Sequence, residues 1–432
     1  MIELPIVQVT ERAAEWPTQD VTDQALEDPY WRPLPFVEFA LKFHGRCNLA
    51  CDYCYMYEMA DQSWKNKPVA MSRETIDQVA FRLGEHLRAH ADEIQGASVR
   101  MHGGEALLAG ADQFAYAARA FRSAAPSEVP LRLVTTTNGV LLSDEKLLKV
   151  LAEHRIGVTV SLDGDREGQN RHRKYANGRG SHDLVMRGIE VLNRPAYRDL
   201  FDLVLCTVDL ENDPLTTYEA LLATGAPAVD FLLPLGNWSS PPPGWTSGDG
   251  GTAYADWLIP IFERWYSTVP LPAGVRLFEN IMTVCLGGHA YTEGLGLHPF
   301  QLMVIESDGT IELGDALKST YEGAPYTGLN VFRNAFDDAR LLPGVVARQR
   351  GVAGLSPICV SCSIRDICGA GEYSTRYRAG SGFLNPSVYC ADLAKLICHI
   401  RDRVLTDMDR LRAERAEAGC GPGTSGCAIP ME

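Results

Sequence analysis

Apolar residues cluster in six short runs: FVEFALKF from Phe36, ASVRMHGGE from Ala97, LRLVTTTNG from Leu131, IGVTVSLDG from Ile156, FDLVLCTVD from Phe201 and VDFLLPL from Val229. Each has the length and β-branched or aromatic content of a strand. Between them the apolar spacing changes to the helical period, from Ser72 to about His90, near Asp112 to Ala124, from Ser143, from Ser181 and near Pro214. Ser72 ahead of Thr75, and Ser143 ahead of Asp144 and Glu145, put hydroxyl caps and acids where a helix N-terminus favours them. Strand and helix alternating in this order predict an α/β fold with a parallel sheet and outer helices, a partial (β/α)6 TIM-like barrel over residues 35–235.

The flanks read differently. Residues 1–34 form an N-terminal extension with a strand candidate at 3–9, suited to offer a peptide an edge. Residues 236–275 are a linker and helical segment, rich in Pro, Gly and Ser up to Thr252 and then aromatic at helical spacing. Residues 276–413 are Cys-rich and close with a long amphipathic helix, and 414–432 read as a flexible tail.

Composition narrows the partners. The 432 residues carry a formal charge of −15, with no Lys/Arg run, which argues against nucleic acid. The start MIELPIVQVTERAAEWP lacks a secretory pattern, and no stretch of about 18 apolar residues is present to span a membrane. Twelve Cys are then better explained by reduced thiolates holding metal than by disulfides, which fits a cytoplasmic protein.

Cys47, Cys51 and Cys54 in CNLACDYC supply three thiolates on one loop after the first strand run. Three thiolates can hold a 4Fe-4S cubane with one iron open, and an open iron can chelate the amino and carboxylate groups of S-adenosylmethionine (SAM). A zinc site is the alternative, though it would want a fourth ligand. Farther on, Cys359, Cys362 and Cys368 in CxxCx5C spacing, with Cys390, make four thiolates for a closed cluster or a zinc ribbon.

The spacing CxxxCxΦC, with Tyr53 as the aromatic, matches the radical SAM signature, and the chain resembles radical SAM enzymes with a SPASM-type C-terminal extension. The resemblance favours iron-sulfur at both sites and places SAM contacts at Tyr53, Gly103, Gly104, Glu105, Asn138, Ser161 and Arg173. His102-Gly103-Gly104-Glu105 resembles GGEP with Ala106 for proline; the glycines would allow close approach and Glu105 would support the amino group. Asn138 would face the ribose. Ser161 and Arg173 would hold the methionine carboxylate, with Arg171 a near competitor.

A full SPASM pattern would also have Cys at 314 and 372, where this chain has Gly314 and Glu372, so one auxiliary 4Fe-4S cluster is expected. Cys285 is then a lone thiol, Cys206 and Cys398 are core residues, and Cys420 and Cys427 have no assigned role. In related maturases a carboxylate at the place of Asp315 takes the substrate proton, and a surface turn beside Lys318 is the alternative for Asp315.

KFHGRCNLACDYCYMYE, MHGGEALL, ESDGTIELGDALK and CVSCSIRDICGAGEYSTRY together resemble the FxsB-type branch. That implies a short ribosomally made precursor peptide as substrate, an aromatic carbon to β-carbon crosslink (a three-residue cyclophane) as product, and an electron donor such as flavodoxin or ferredoxin. Epimerisation, thioether formation and Ser/Cys oxidation to formylglycine stay open, as does a non-catalytic iron-sulfur or peptide-binding protein.

Overall fold

The computed structural model describes residues 15–245 and 251–417. The strand candidate at 3–9, Cys420 and Cys427 lie outside the described residues. After α1 (Gln19–Glu27), the six apolar runs become β1 (Glu38–His44), β2 (Ala97–Gly103), β3 (Leu131–Thr137), β4 (Ile156–Ser161), β5 (Phe201–Thr207) and β6 (Ala228–Leu232). The helices between them are α2 (Arg73–Ala89), α3 (Ala111–Ala124), α4 (Glu145–Glu153), α5 (Arg166–His172), α6 (His182–Leu192) and α7 (Pro214–Leu222).

Local chemistry accounts for the helix starts. Ser72 accepts the Thr75 amide at 3.0 Å and caps α2. Ser143 does not cap α4: Asp144 does, accepting the Lys146 and Leu147 amides. A carboxylate there also meets the positive helix end, so it outcompetes the hydroxyl one residue earlier.

Neighbouring strands from β1 to β6 pair in parallel, and the sheet continues with strands the periodicity does not reveal. After α8 (Ala253–Tyr266), β7 (Gly274–Val275) adds to β6, and α9 (Arg276–Cys285) follows. β8 (Leu302–Ile305) returns to pair in parallel with β1, and β9 (Thr310–Glu312) and β10 (Tyr326–Asn330) extend that side antiparallel. The order is β10-β9-β8-β1-β2-β3-β4-β5-β6-β7, so the Cys-rich half contributes strands to the same sheet and carries Asp315 beside β1. The chain ends in α10 (Pro343–Gln349), α11 (Pro357–Val360), α12 (Arg365–Cys368) and α13 (Cys390–Glu417).

Strand alternation sorts residues between helices and lumen. Val99 and Met101 of β2 are buried among the apolar side chains of the core, and Phe43 meets Phe114 of α3 edge to face at 4.9 Å. Burying such a ring stabilises by about 2–3 kcal/mol. Ser98, Arg100 and His102, on the other face of β2, keep partial exposure inside the barrel. Among the described residues no helix is long and apolar enough to cross a membrane.

Candidate active site

The C-terminal ends of β1 to β4 form one rim, and the motifs meet there. The loop after β1 carries Cys47, Cys51 and Cys54, all partly buried. Burial pushes their thiols up, Cys47 to about 11 and Cys51 to about 12. Opposing this, the Leu49 amide points at Cys47 Sγ at 3.4 Å and the Asn138 side chain at 3.5 Å, while Arg173 favours the Cys51 thiolate.

Among the described residues, the one set of three His, Cys, Asp or Glu donors drawn within 4.8 Å of one another is His86, His90 and Asp337. Neither thiol set is gathered to the roughly 3.8 Å sulfur separation that a tetrahedral zinc with 2.3 Å bonds would impose. At His86, His90 and Asp337 a protein cation already takes the place: Arg340 Nη1 lies 3.1 Å from His90 Nε2 and 3.4 Å from Asp337 Oδ1. The donor chemistry of the three-thiol loop, sulfur with amides aimed at it, fits an iron-sulfur cluster.

The glycine pair serves the loop itself. Gly104 donates to the His44 carbonyl at 2.9 Å and Glu105 to that of Arg46 at 3.0 Å. A Cβ on Gly104 would lie 2.5 Å from Arg46 C, and Gly103 has φ +142° beside His44. The backbone of the cysteine loop thus makes a close approach that a side chain at either glycine would block.

Glu105 and Asn138 are also turned inward. The Glu105 carboxylate is buried, accepting from Leu107 N (2.9 Å), Thr137 Oγ1 (2.8 Å) and Asn138 N (2.7 Å), and burial raises its pKa. Asn138 Nδ2 donates to Asn48 Oδ1 at 2.7 Å. Both therefore tie the ends of β2 and β3 to one another and to the cysteine loop.

The two arginines separate clearly. Arg171 is held by Asp209 and Asn212. Arg173 is partly buried near Cys51, its Nε 2.7 Å from Asp163 Oδ2 and its guanidinium 5.4 Å from the Tyr53 ring centroid. Asp163 also takes the Tyr53 hydroxyl and the Thr207 amide. Tyr53 thus seats Asp163 and Arg173, and Ser161 sits partly exposed at the end of β4. Both Arg173 and Ser161 have donor groups of the kind that bind a carboxylate.

Below the rim lies a cluster that sequence reasoning reached only through Asp315. Lys42 of β1, fully buried, holds Asp315 Oδ1 at 2.7 Å and donates to Tyr55 Oη at 3.1 Å. Tyr55 donates to Asp315 Oδ2 at 3.3 Å, and His102 Nε2 lies 3.3 Å from the same oxygen. Burial pushes the Asp315 carboxyl up, but Lys42, His102 and Lys318 outweigh it and bring it down to about 2. Burial and Lys42 hold His102 neutral, down to about 3. The surface-turn alternative fails, since Lys318 is itself buried against Glu306 (3.0 Å) and Glu312 (2.9 Å). The signal for Lys42 and His102 is strand alternation, which puts both on the lumen face.

The thiols of the second set are also near enough to influence one another. Cys390 at the start of α13 feels Cys359 and Cys362, and Cys368 at the end of α12 feels Cys390 and Cys359; burial brings Cys368 up to about 11. Gly369, Ala370 and Gly371 all have positive φ, and Arg376 bonds all three of their carbonyls. That leaves the Ala370 amide for the Cys368 sulfur. Cys206 is buried in β5, whereas Cys285 and Cys398 are near enough to affect each other, so Cys285 is not a solitary thiol.

Comparison with known proteins agrees with this geometry. Residues 41–206 match the Radical SAM superfamily. The "Serine-type anaerobic sulfatase-maturating enzyme" of Klebsiella pneumoniae is 26% identical over 361 residues, spanning 83% of this chain and 86% of that protein. The "Cysteine-type anaerobic sulfatase-maturating enzyme" of Clostridium perfringens is 24% identical over 269 residues, 61% of this chain and 70% of that one. The solved structure described as "Native anSMEcpe with bound AdoMet" superposes with a TM-score of 0.72 at 21% identity, covering 86% of this chain and 99% of that one, which establishes the partial barrel fold. A 4Fe-4S cluster and SAM are its cofactors. Residues 41–206 are thus a radical SAM domain, and the chain, an enzyme of radical chemistry, is similar over most of its length to the anaerobic sulfatase-maturating enzymes.

Proposed function

We propose that this enzyme oxidises a side-chain carbon of a short ribosomally made peptide and closes an intrapeptide crosslink, an aromatic ring carbon to a β-carbon. The observation that carries the reading is the Lys42–Asp315–His102–Tyr55 cluster, which holds a charged carboxylate in the lumen beneath the three-thiol loop. Likeness to sulfatase-maturating enzymes supports a peptide substrate.

On this reading Cys47, Cys51 and Cys54 hold one cluster, and Cys359, Cys362, Cys368 and Cys390 hold the auxiliary one. When bound, the first cluster with SAM and an electron from a flavodoxin or ferredoxin supplies a carbon radical that takes one hydrogen atom, and the second supplies an acceptor for one electron. The chain does the rest. Arg173 and Ser161 orient the methionine carboxylate, Tyr53 and Asp163 hold Arg173, and Asp315 collects the proton that the second C–H bond releases as the new bond forms.

Oxidation of Ser or Cys to formylglycine is the second reading, favoured by the likeness to the serine-type enzyme across 83% of this chain. Here one hydrogen atom leaves the β-carbon, the hydroxyl or thiol proton goes to Asp315, and one electron departs; Ser then carries the aldehyde directly, whereas Cys carries a thioaldehyde that water converts to the aldehyde with release of hydrogen sulfide.

Co-expression with a short peptide encoded beside the gene tests both. A loss of about two mass units without reactivity toward a hydrazide supports the crosslink. The same loss with an aldehyde that the hydrazide captures moves the assignment to Ser oxidation, and no loss overturns net oxidation of that peptide.

A further inference from the structure

Positions 314 and 372, where a fuller cysteine pattern would supply thiolates, are brought together around Arg348 of α10. Arg348 is almost fully buried and grips Glu293 with two bonds, Nε to Oε1 and Nη2 to Oε2, both 2.5 Å. Its guanidinium stacks on Phe300, 3.3 Å from the ring centroid, and lies 4.9 Å from the ring centroid of Tyr373.

The remaining nitrogen, Nη1, donates to the Leu313 carbonyl at 2.6 Å. Leu313 is two residues before Asp315, and the Gly314 between them has φ +128°, a conformation that side chains rarely adopt. A Cβ on Gly314 would project to within 3.7 Å of Arg348 Nη2. The guanidinium therefore fills the direction in which a thiolate at 314 would point. Glu372 is close by, its carboxyl pushed up to about 6 by burial and by Glu293 against the pull of Arg348 and Arg376. Two carboxylates and two guanidiniums balance one another there.

We infer that Arg348, clamped by Glu293, is a positioning residue for Asp315, holding the Leu313–Gly314–Asp315 turn by a charged strut where a metal-bound cysteine would otherwise anchor it. The role rests on the proposed function insofar as Asp315 receives the substrate proton, but the strut itself is a property of the fold. Its opposite support is the bond from Leu313 N to the Pro325 carbonyl, 2.9 Å, so loss of Arg348 frees one side of the turn. A shift of about 1 Å in a reacting group can cost on the order of a hundredfold in rate.

The test uses the full reconstituted chain with Arg348→Met and, as the gentler change, Glu293→Gln. Amide exchange in residues 313–318 should accelerate about tenfold while β1 stays protected. Iron content and 5′-deoxyadenosine formation without peptide should stay within about twofold of wild type, and product formed per 5′-deoxyadenosine, with the gene-adjacent peptide, should fall about tenfold. Unchanged exchange and an unchanged ratio in both variants overturn the inference, as does loss of iron or of β1 protection in Glu293→Gln, which would make the strut a general support. If wild type modifies no such peptide, the functional reading fails, and the exchange measurement still decides the strut.

Discussion

The two thiol sites differ in what surrounds them. Around Cys47, Cys51 and Cys54 the neighbours are side chains with chemistry to offer, Arg173, Asp163, Tyr53 and Asn138, at the mouth of a polar lumen. Around Cys359, Cys362, Cys368 and Cys390 the neighbour is backbone, a left-handed Gly369–Ala370–Gly371 turn pinned by Arg376, and Cys362 and Cys390 reach the surface. The first surrounding suits a cluster that must admit a polar small molecule. The second suits one that is fully held by protein and exchanges electrons near solvent, so on the proposed reading reaction and electron exit occupy separate sites.

Single thiol replacements break this comparison most directly. Cys51→Ala should abolish SAM cleavage, below about a thousandth of wild type, because no other donor in the loop replaces it. Cys362→Ala should lower iron from about eight to about four per chain yet leave peptide-independent SAM cleavage intact. Equal loss in both variants would mean the sites are not separable, and about twelve irons in wild type would return Cys285 to the ligands. Asp315→Asn should keep 5′-deoxyadenosine formation and slow the product about a hundredfold. Product unaffected by that change would remove Asp315 from the chemistry.

How far the chain announces these sites depends on the distance over which each is built. The strands from Phe36 to Leu235 and the cap at Ser72 are local patterns, and so is the three-thiol loop, whose ligands all lie within one turn of chain. The strands β7 to β10 are two to five residues long and exist through their pairing, which no local period encodes. Lys42 stands in an apolar run and becomes intelligible only beside Asp315, which arrives on a distant segment. Glu105 and Asn138 are conspicuous in the sequence, yet their hydrogen bonds go to the protein scaffold, because a buried carboxylate or amide must first satisfy its own polar atoms. Arg348 and Glu293 carry no motif at all.

Lys42→Met sharpens the contrast by altering the lumen alone. With Lys42 present the Asp315 pKa is about 2, so the carboxylate is charged throughout pH 4–9 and contributes no acid limb to the rate. The depressed value also means that its stabilisation is present above the unfolded pKa of about 4 and is lost as pH falls through about 2. Without Lys42, burial raises the Asp315 pKa with less opposition. Product formation should then decline as pH falls through about 6, by about tenfold, while SAM cleavage keeps its wild-type profile. A flat product profile in Lys42→Met would show that Lys42 does not hold the charge on Asp315.

The smallest effect belongs to Glu372, beside the four-thiol turn. Its folded pKa of about 6 lies above the unfolded value of about 4.3, so the folded chain binds this proton more tightly. Its contribution to stability is therefore greatest below about pH 4.3 and declines as pH rises to about 6, by at most about 2 kcal/mol, since a tenfold change in proton affinity is worth about 1.4 kcal/mol. Glu372→Gln keeps the shape and removes the titration. Between pH 5 and 7 the apparent Tm of wild type should fall by a degree or two relative to this variant, with iron content equal in both. A parallel pair of curves would show that Arg348 and Arg376 fully offset the burial of this carboxylate. Lost iron in Glu372→Gln would instead make the side chain part of the cluster site, the role its position would hold with a thiolate.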